Sequence, residues 1–504
     1  MMTHWLMVPL VLPLVAAMVN LLLGGREIGR QRLVSLACAS GLLVAAMVLL
    51  ERAAGGGLTV YRLGNWPAPF GIVLVLDRLS GLLLTTTAVL ALLSLLHAVN
   101  GDDARGHHFH VFFPIQLLGI NGAFLTGDLF NLFVFFEILL IASYCLSLHG
   151  GGPERVRASL RYVALNLIGS ALFLLAVGAL YGLTGTLNMA DLGSKVAAAP
   201  VEQVALLRAA GLLLLVVFGL KAAILPLHPW LPPLYGSVLA PVAALFAVMT
   251  KVGVYAILRT VTLILPPQGA VGSAIAEVLP LLALLTLAAG GLGVLAAARL
   301  RILIASLVVL SVGALLAGIG QFNAAGIAAA LYYLPHTTLV AAGLFLLAEP
   351  ITRQRGEVED RFIPGPPLLQ PTRLGLLFIL GAVAAAGLPP LSGFIGKLML
   401  LRSVAPADGP WLWIVVLAAS LLTLIALSRA GSRLFWGTAG TAGAAGTVGW
   451  RQLLPAALLL AASIGMTIAA APISRYTEAA AHQLLAPQQY IDAVLGASAT
   501  GGTP

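Results

Sequence analysis

The stretch Gly219-Leu220-Lys221-Ala222-Ala223-Ile224-Leu225-Pro226-Leu227-His228-Pro229-Trp230-Leu231-Pro232-Pro233 sets the reading of the whole chain. It carries a lysine at the end of an apolar run and follows it with four prolines. Proline removes a helical hydrogen bond and clashes with the preceding turn. Broken backbone at bilayer depth is tolerated only beside protein or a water-filled cavity. A second stretch, Gly387-Leu388-Pro389-Pro390-Leu391-Ser392-Gly393-Phe394-Ile395-Gly396-Lys397, repeats the combination of proline break and lysine. Both read as interrupted membrane helices with an ion site at the break.

Composition extends that reading to the full length. Of 504 residues, 60% are hydrophobic and only 9% charged, whereas soluble domains carry about 25% charged residues. The mean hydropathy of +1.03 is spread along the chain, so this is not a soluble domain with one anchor. Disulfide scaffolds, nucleic-acid binders and disordered proteins are excluded together. The net charge of +9 is dispersed between apolar runs, as membrane topology requires. Cys38 and Cys145 both lie in apolar stretches and cannot build a thiolate metal site or an Fe–S cluster. His107, His108 and His110 have no partner at ligand spacing, so neither a metal nor any other cofactor is expected.

Apolar runs of spanning length, about 20 residues, recur near 4–23, 33–50, 78–98, 109–127, 129–149, 159–183 and 203–225. They continue near 237–263, 273–298, 301–320, 323–348, 372–404, 411–430 and 451–472. The expected fold is an all-α polytopic membrane protein with about 14 transmembrane helices. The first basic residue, Arg26, follows the first run, so that run is read as retained and not as a cleaved signal. The two breaks fall on spans seven and twelve, five helices apart. That spacing predicts two inverted five-helix repeats, spans 4–8 and 9–13. The expected division is 1–108 for helices 1–3, 109–265 and 266–430 for the repeats, and 431–504 for helix 14 and a tail. Beyond about residue 473 a short surface helix followed by disorder is expected.

Only four of the 27 basic residues are lysines, and Lys221, Lys251 and Lys397 fall inside apolar spans. A buried ammonium can release its proton, whereas guanidinium effectively cannot. An ionisable group at a helix centre costs roughly 2.5–3.5 kcal/mol, so such residues point to function. Glu137, in Phe-Asn-Leu-Phe-Val-Phe-Phe-Glu-Ile-Leu-Leu, is the acid near the middle of span five. A carboxylate and an ammonium on different helices make a pair that can exchange a proton. His336 follows Pro335 in mid-span, where imidazole suits a relay near neutral pH. His228, in the proline-rich turn, fits a relay or turn packing equally, and Asp77 and Asp128, near span ends, fit orienting a water or capping a helix.

The motif Gly127-Asp128-Leu129-Phe130-Asn131-Leu132-Phe133-Val134-Phe135-Phe136-Glu137 resembles the D subunit of the Mrp-type multisubunit Na⁺/H⁺ antiporters. So do the segment from Gly219 to Pro233, Met249-Thr250-Lys251-Val252-Gly253-Val254-Tyr255, the segment from Gly387 to Lys397, and Arg299-Leu300-Arg301-Ile302-Leu303-Ile304-Ala305-Ser306. The match runs in order along nearly the whole chain. The wider superfamily includes the antiporter-like membrane subunits of respiratory complex I and of membrane-bound hydrogenases. The resemblance implies Glu137 paired with Lys221, then Lys251, His336 and Lys397 as a proton path; Asp128 and His228 are weaker candidates beside it. It also implies a hetero-oligomer in the cell membrane that moves protons against Na⁺ or K⁺, with this chain a transporter component and not an enzyme. The competing reading is a proton-pumping arm of a complex I-like or hydrogenase-type redox complex, with all electron carriers in partner subunits. Many relatives carry a lysine shortly after the span-eleven histidine, where this chain has Ala341.

Sixteen arginines fall in loops after odd-numbered spans, against seven basic residues in even loops, the segment entering span seven and the tail. Positive residues mark the cytoplasmic side, so both termini are expected outside. Cysteines placed near 26–32, 154–161 and 351–373 should resist an impermeant thiol reagent applied to intact cells; ready labelling there would reverse the orientation.

Overall fold

Backbone groups in lipid must bond within their own segment, and each of the apolar runs carries a helix. The structure is a computed structural model that describes residues 2–24, 27–404, 407, 409–440 and 446–496. Helices α1 (Val8–Leu23) and α2 (Ile28–Ala54) precede a short hairpin of β1 (Thr59–Arg62) and β2 (Val73–Leu76). Then come α3 (Arg78–Ala98), α4 (Phe109–Leu125), α5 (Leu129–Leu148), α6 (Pro153–Thr184) and the short α7 (Met189–Ala197). The first break separates α8 (Val201–Ala222) from α9 (Leu231–Ser237), followed by α10 (Ala240–Phe246) and α11 (Met249–Arg259). Next are α12 (Ser273–Ala296), α13 (Leu300–Ile319) and α14 (Ala324–Gln354). The second break separates α15 (Pro371–Ala386) from α16 (Ser392–Arg402). The chain continues through α17 (Pro410–Gly431), α18 (Trp450–Ile468), α19 (Ala470–Leu484) and α20 (Pro487–Leu495).

Twelve helices among the described residues are long and apolar enough to cross a membrane, and the apolar helices α4 and α15 are shorter. The centre of the molecule is α14, which packs against α3, α10, α13, α15, α16, α18 and α19. It is buried almost throughout, as are α10, α11 and α13. The outer helices turn exposed Leu, Ile, Val and Phe outward, as lipid or a neighbouring chain requires.

Close helix contacts in lipid depend on small residues, because lipid tails are as apolar as leucine. Gly119 of α4 lies directly against the Leu139 backbone of α5, where any Cβ would collide. Gly290 of α12 meets Leu310 of α13 in the same way, each residue 171 further along the chain. The helix starts match as well. Leu129 N–H donates to the Leu187 carbonyl at 2.9 Å, and Met189 N–H to that of Gly127 at 2.9 Å. Leu300 N–H likewise donates to Asp360 at 3.0 Å, and Phe362 N–H to Ala298 at 3.0 Å.

Charged side chains gather at the two ends of the bundle. At the odd-loop end Arg32 meets Asp103 at 2.6 Å, Arg353 meets Asp102 at 3.0 Å and Arg301 meets Glu349 at 2.5 Å. Burial, reinforced by Glu349, pushes the Asp102 carboxyl up to about 6. His110 of the histidine cluster joins this network through Asp103 at 3.0 Å, while His107 and His108 are exposed. At the opposite end Asp77 caps α3 and binds Arg259 at 2.6 Å, and the Tyr490 ring lies 5.2 Å from that guanidinium.

Two details go beyond the expected all-α fold. The all-helical reading missed the hairpin, whose β2 strand Val73-Leu74-Val75-Leu76 is wholly buried and shows no alternation to reveal it. The tail carries two short helices in place of one: α19 packs one face on α14 and α3, and α20 packs on α7. Ala480 and Ala481 are small enough to seat α19 against its neighbours. The disorder expected at the end of the tail falls on residues 497–504, which lie outside the described residues, as does Arg26.

Removing one member of a buried ion pair strands the other. Asp77→Asn should therefore lower the stability of the purified protein by about 3–5 kcal/mol. Glu27→Gln, which removes the partner of the exposed Arg30, should leave thermal unfolding unchanged.

Candidate functional site

Helix α8 ends at Ala222 because Ala223 adopts the left-handed conformation at φ +60° and the prolines follow. Its freed backbone groups are taken up by neighbours. The Trp230 indole N–H donates to the Leu220 carbonyl at 3.2 Å, and Leu225 N–H donates to Thr286 Oγ1 at 3.0 Å. In the last turn, Lys221 is buried and donates from Nζ to Asn166 Oδ1 on α6 at 3.1 Å. Its Nζ also lies 5.9 Å from the centre of the Phe136 ring.

Glu137 on α5 is half-buried and accepts a hydrogen bond from the Ser170 hydroxyl, also on α6. The expected direct pair between Glu137 and Lys221 is not formed. Each is bound instead to a side chain of α6, Ser170 on the carboxylate and Asn166 on the ammonium.

Lys251 is completely buried and donates to Ser311 Oγ on α13 at 2.9 Å and to Thr250 Oγ1 at 3.3 Å. The continuous helix expected over 237–263 is interrupted just before it, at Ala247–Val248, where α10 passes into α11. A tightened turn inside a helix often marks a functional site. Beyond Ser311 a cavity of about 20 Å³ is lined by Ser311, Tyr333, His336, Ala341 and Ala385. That is room for roughly one water.

His336 on α14 shares a hydrogen bond between Nδ1 and Ser392 Oγ at 2.8 Å, and Ser392 in turn meets Ser463 Oγ at 2.8 Å. The imidazole is thereby tied to the second break, since Ser392 opens α16. Lys397, one turn into α16, reaches back across the break to the Ala386 carbonyl at 2.7 Å and to Ser420 Oγ of α17 at 2.9 Å. Gly387 makes this possible: its φ is +78°, and a Cβ there would lie 2.7 Å from Lys397 Cδ.

Asp128 and His228 stand apart from this series. Asp128 caps α5, accepting from Asn131 N–H at 2.8 Å, and burial pushes its carboxyl up. His228 lies in the turn after Pro226, and its Nδ1 has no hydrogen-bond partner among the described residues. Neither contacts a buried lysine among those residues. The sequence reading missed the neutral partners Asn166, Ser170, Ser311, Ser392 and Ser420. Their signal was polar side chains within apolar runs, with Asn166 and Ser170 one helical turn apart.

A helical membrane protein with interrupted spans and a series of buried ionisable groups is the class that fold and site define. The family model described as NADH:quinone oxidoreductase/Mrp antiporter, TM, matches residues 126–423, and the chain belongs to that family. It is 41% identical to the D subunit of a probable K(+)/H(+) antiporter of Rhizobium meliloti, over 99% of this chain and 98% of that protein. It is 37% identical to the D subunit of the Na(+)/H(+) antiporter of Bacillus subtilis, over 98% of this chain and 100% of that protein. A chain of the Mrp complex from Dietzia sp. DQ12-45-1b superposes with a TM-score of 0.87 at 28% identity, covering 98% of this chain and 99% of that one.

Gly387→Ala adds a Cβ against Lys397 and forces alanine into a left-handed conformation, which costs about 1–3 kcal/mol. The purified protein should melt at lower temperature. Gly178→Ala in α6, with open space around its Cα, should not change melting.

Proposed function

We propose that this chain is the proton-translocating subunit of a multisubunit antiporter that exchanges Na⁺ or K⁺ for protons. The observation that carries this reading is that Lys221, Lys251 and Lys397 are all buried on neutral acceptors, with no carboxylate in contact among the described residues. Static ion pairs that lock helices would bring opposite charges together. Ammoniums solvated by amide, hydroxyl and carbonyl oxygens can instead give up and regain a proton. Protons pass between Glu137, Lys221, Lys251, His336 and Lys397, and the cavity between Ser311 and His336 has room for the water that joins the central members. Ala341 contributes part of that room.

The partners are the other subunits of a hetero-oligomer, and the cation moves through a neighbouring subunit or a shared path. The naming of the relatives as D subunits of antiporters supports this. Location in the cell membrane with both termini outside is supported by the arginine parity and by the ion-pair network at the odd-loop end. The inverted repeats over 109–265 and 266–430 are supported by the matched glycine contacts and helix-start bridges.

Lys221→Arg and Lys251→Arg decide between relay and static charge. Arginine keeps the positive charge but cannot release its proton. Both variants should assemble and yet lose cation-dependent proton movement in membrane vesicles as fully as Lys221→Ala and Lys251→Ala. Substantial transport by assembled Lys221→Arg would favour a structural charge.

A further inference from the structure

Glu137 and Lys221 are each bound to α6 and not to one another. Asn166 and Ser170 lie four residues apart on that helix, so their side chains stand one above the other. Asn166 donates from Nδ2 to the Tyr162 carbonyl at 2.9 Å, which turns its Oδ1 toward the Lys221 ammonium. Between the two, Gly169 leaves space that a Cβ would fill, 2.6 Å from Leu220 Cδ2 and 3.9 Å from Lys221 Nζ. The lysine-bearing end of α8 therefore sits directly on this face.

Resting on the reading that Glu137 and Lys221 exchange protons, we propose that Asn166 and Ser170 are positioning residues that hold the acid and the base apart. They make two separately loaded sites out of what would otherwise be one closed ion pair. An amide oxygen accepts from an ammonium but does not take its proton at neutral pH, so Asn166 solvates Lys221 without discharging it. The Ser170 hydroxyl does the same for the carboxylate from the donor side. In direct contact each ion would favour the charged form of the other. Lys221 would then keep its proton and Glu137 would refuse one. Of the other ionisable groups nearby, Tyr144 on α5 is within electrostatic reach of Glu137, and Tyr162 on α6 shares a hydrogen bond with Ser143. Neither supplies a second carboxylate.

The test uses the assembled complex in inverted membrane vesicles, with cation-dependent proton movement measured across a pH series. Asn166→Leu and Ser170→Ala should assemble and slow transport by about tenfold or more, the size of one charge-assisted hydrogen bond. Ser170→Thr, which keeps the hydroxyl, should retain transport. Asn166→Asp sets a carboxylate against Lys221 and favours its charged form, so proton release needs more alkaline solution. The acid limb of its rate profile should move to higher pH, which a merely structural role for Asn166 would not produce. Wild-type rates in Asn166→Leu and Ser170→Ala, with Glu137→Gln and Lys221→Met inactive, would overturn the α6 proposal alone. Normal transport in Glu137→Gln or Lys221→Met would instead overturn the reading beneath it. Should Asn166→Leu fail to assemble, an unshifted pH profile in Asn166→Asp would overturn the proposal.

Discussion

An ammonium at lipid depth has to replace its water shell with protein oxygen. Burying an unpaired ion carries a penalty of several kcal/mol, and the arrangement of this bundle follows from meeting it three times. Lys251 draws on hydroxyls from α11 and α13, and Lys221 on an amide from α6. Lys397 draws on a hydroxyl from α17 and on the end of α15. Each lysine thus obliges two or more helices to approach closely. Glycines and serines at the contacts allow that approach in a medium that gives helices no hydrophobic reason to associate.

The two breaks solve the problem from opposite sides. Carbonyls at a helix C-terminus have no intrahelical partner and carry the negative end of the helix dipole, which favours a nearby cation by about 0.3–1 kcal/mol. Lys221 belongs to the last turn of α8, the half-helix before the break. Lys397 belongs to α16, the half-helix after its break, and reaches back to the terminal carbonyl of α15. Lys221 thus springs from the last turn of one half-helix and gives its charge to α6, whereas Lys397 brings its charge onto the terminal carbonyl of the other. The Gly387 turn leaves room for that reach, since any side chain there would occupy the lysine's path.

Much of this was legible in the sequence. Each expected apolar run carries a helix, and Lys221, Lys251, His336 and Lys397 are buried as charge and hydropathy patterns implied. What escaped is physically instructive. Asn166, Ser170 and Ser311 are common residue types whose importance depends on which helix they face, and one-dimensional hydropathy does not record that. The resemblance implies a pair between Glu137 and Lys221, but neither it nor spacing along the chain reveals that each group is bound to a neutral side chain of α6. The interruption at Ala247–Val248 contains neither proline nor glycine, so no local signal announces it.

The chain also divides its cations by chemistry. Asp77, Asp103 and Glu349 are buried carboxylates in ion pairs, and the residues that meet them are arginines and a histidine. Among the described residues the one lysine in an ion pair is Lys195, which meets Asp191 on the surface of α7. The three buried lysines touch no acid among those residues. Two unit charges about 4 Å apart attract by about 4 kcal/mol at an effective dielectric of 20. Proton release from a lysine closed on a carboxylate would be slowed by about a thousandfold on that scale. Arginine, which never releases its proton, loses nothing by such a pair and gains a fixed geometry. A bundle that must be both rigid and proton-conducting therefore keeps guanidinium for its joints and leaves ammonium on neutral oxygen, where holding the charge and losing it remain close in free energy.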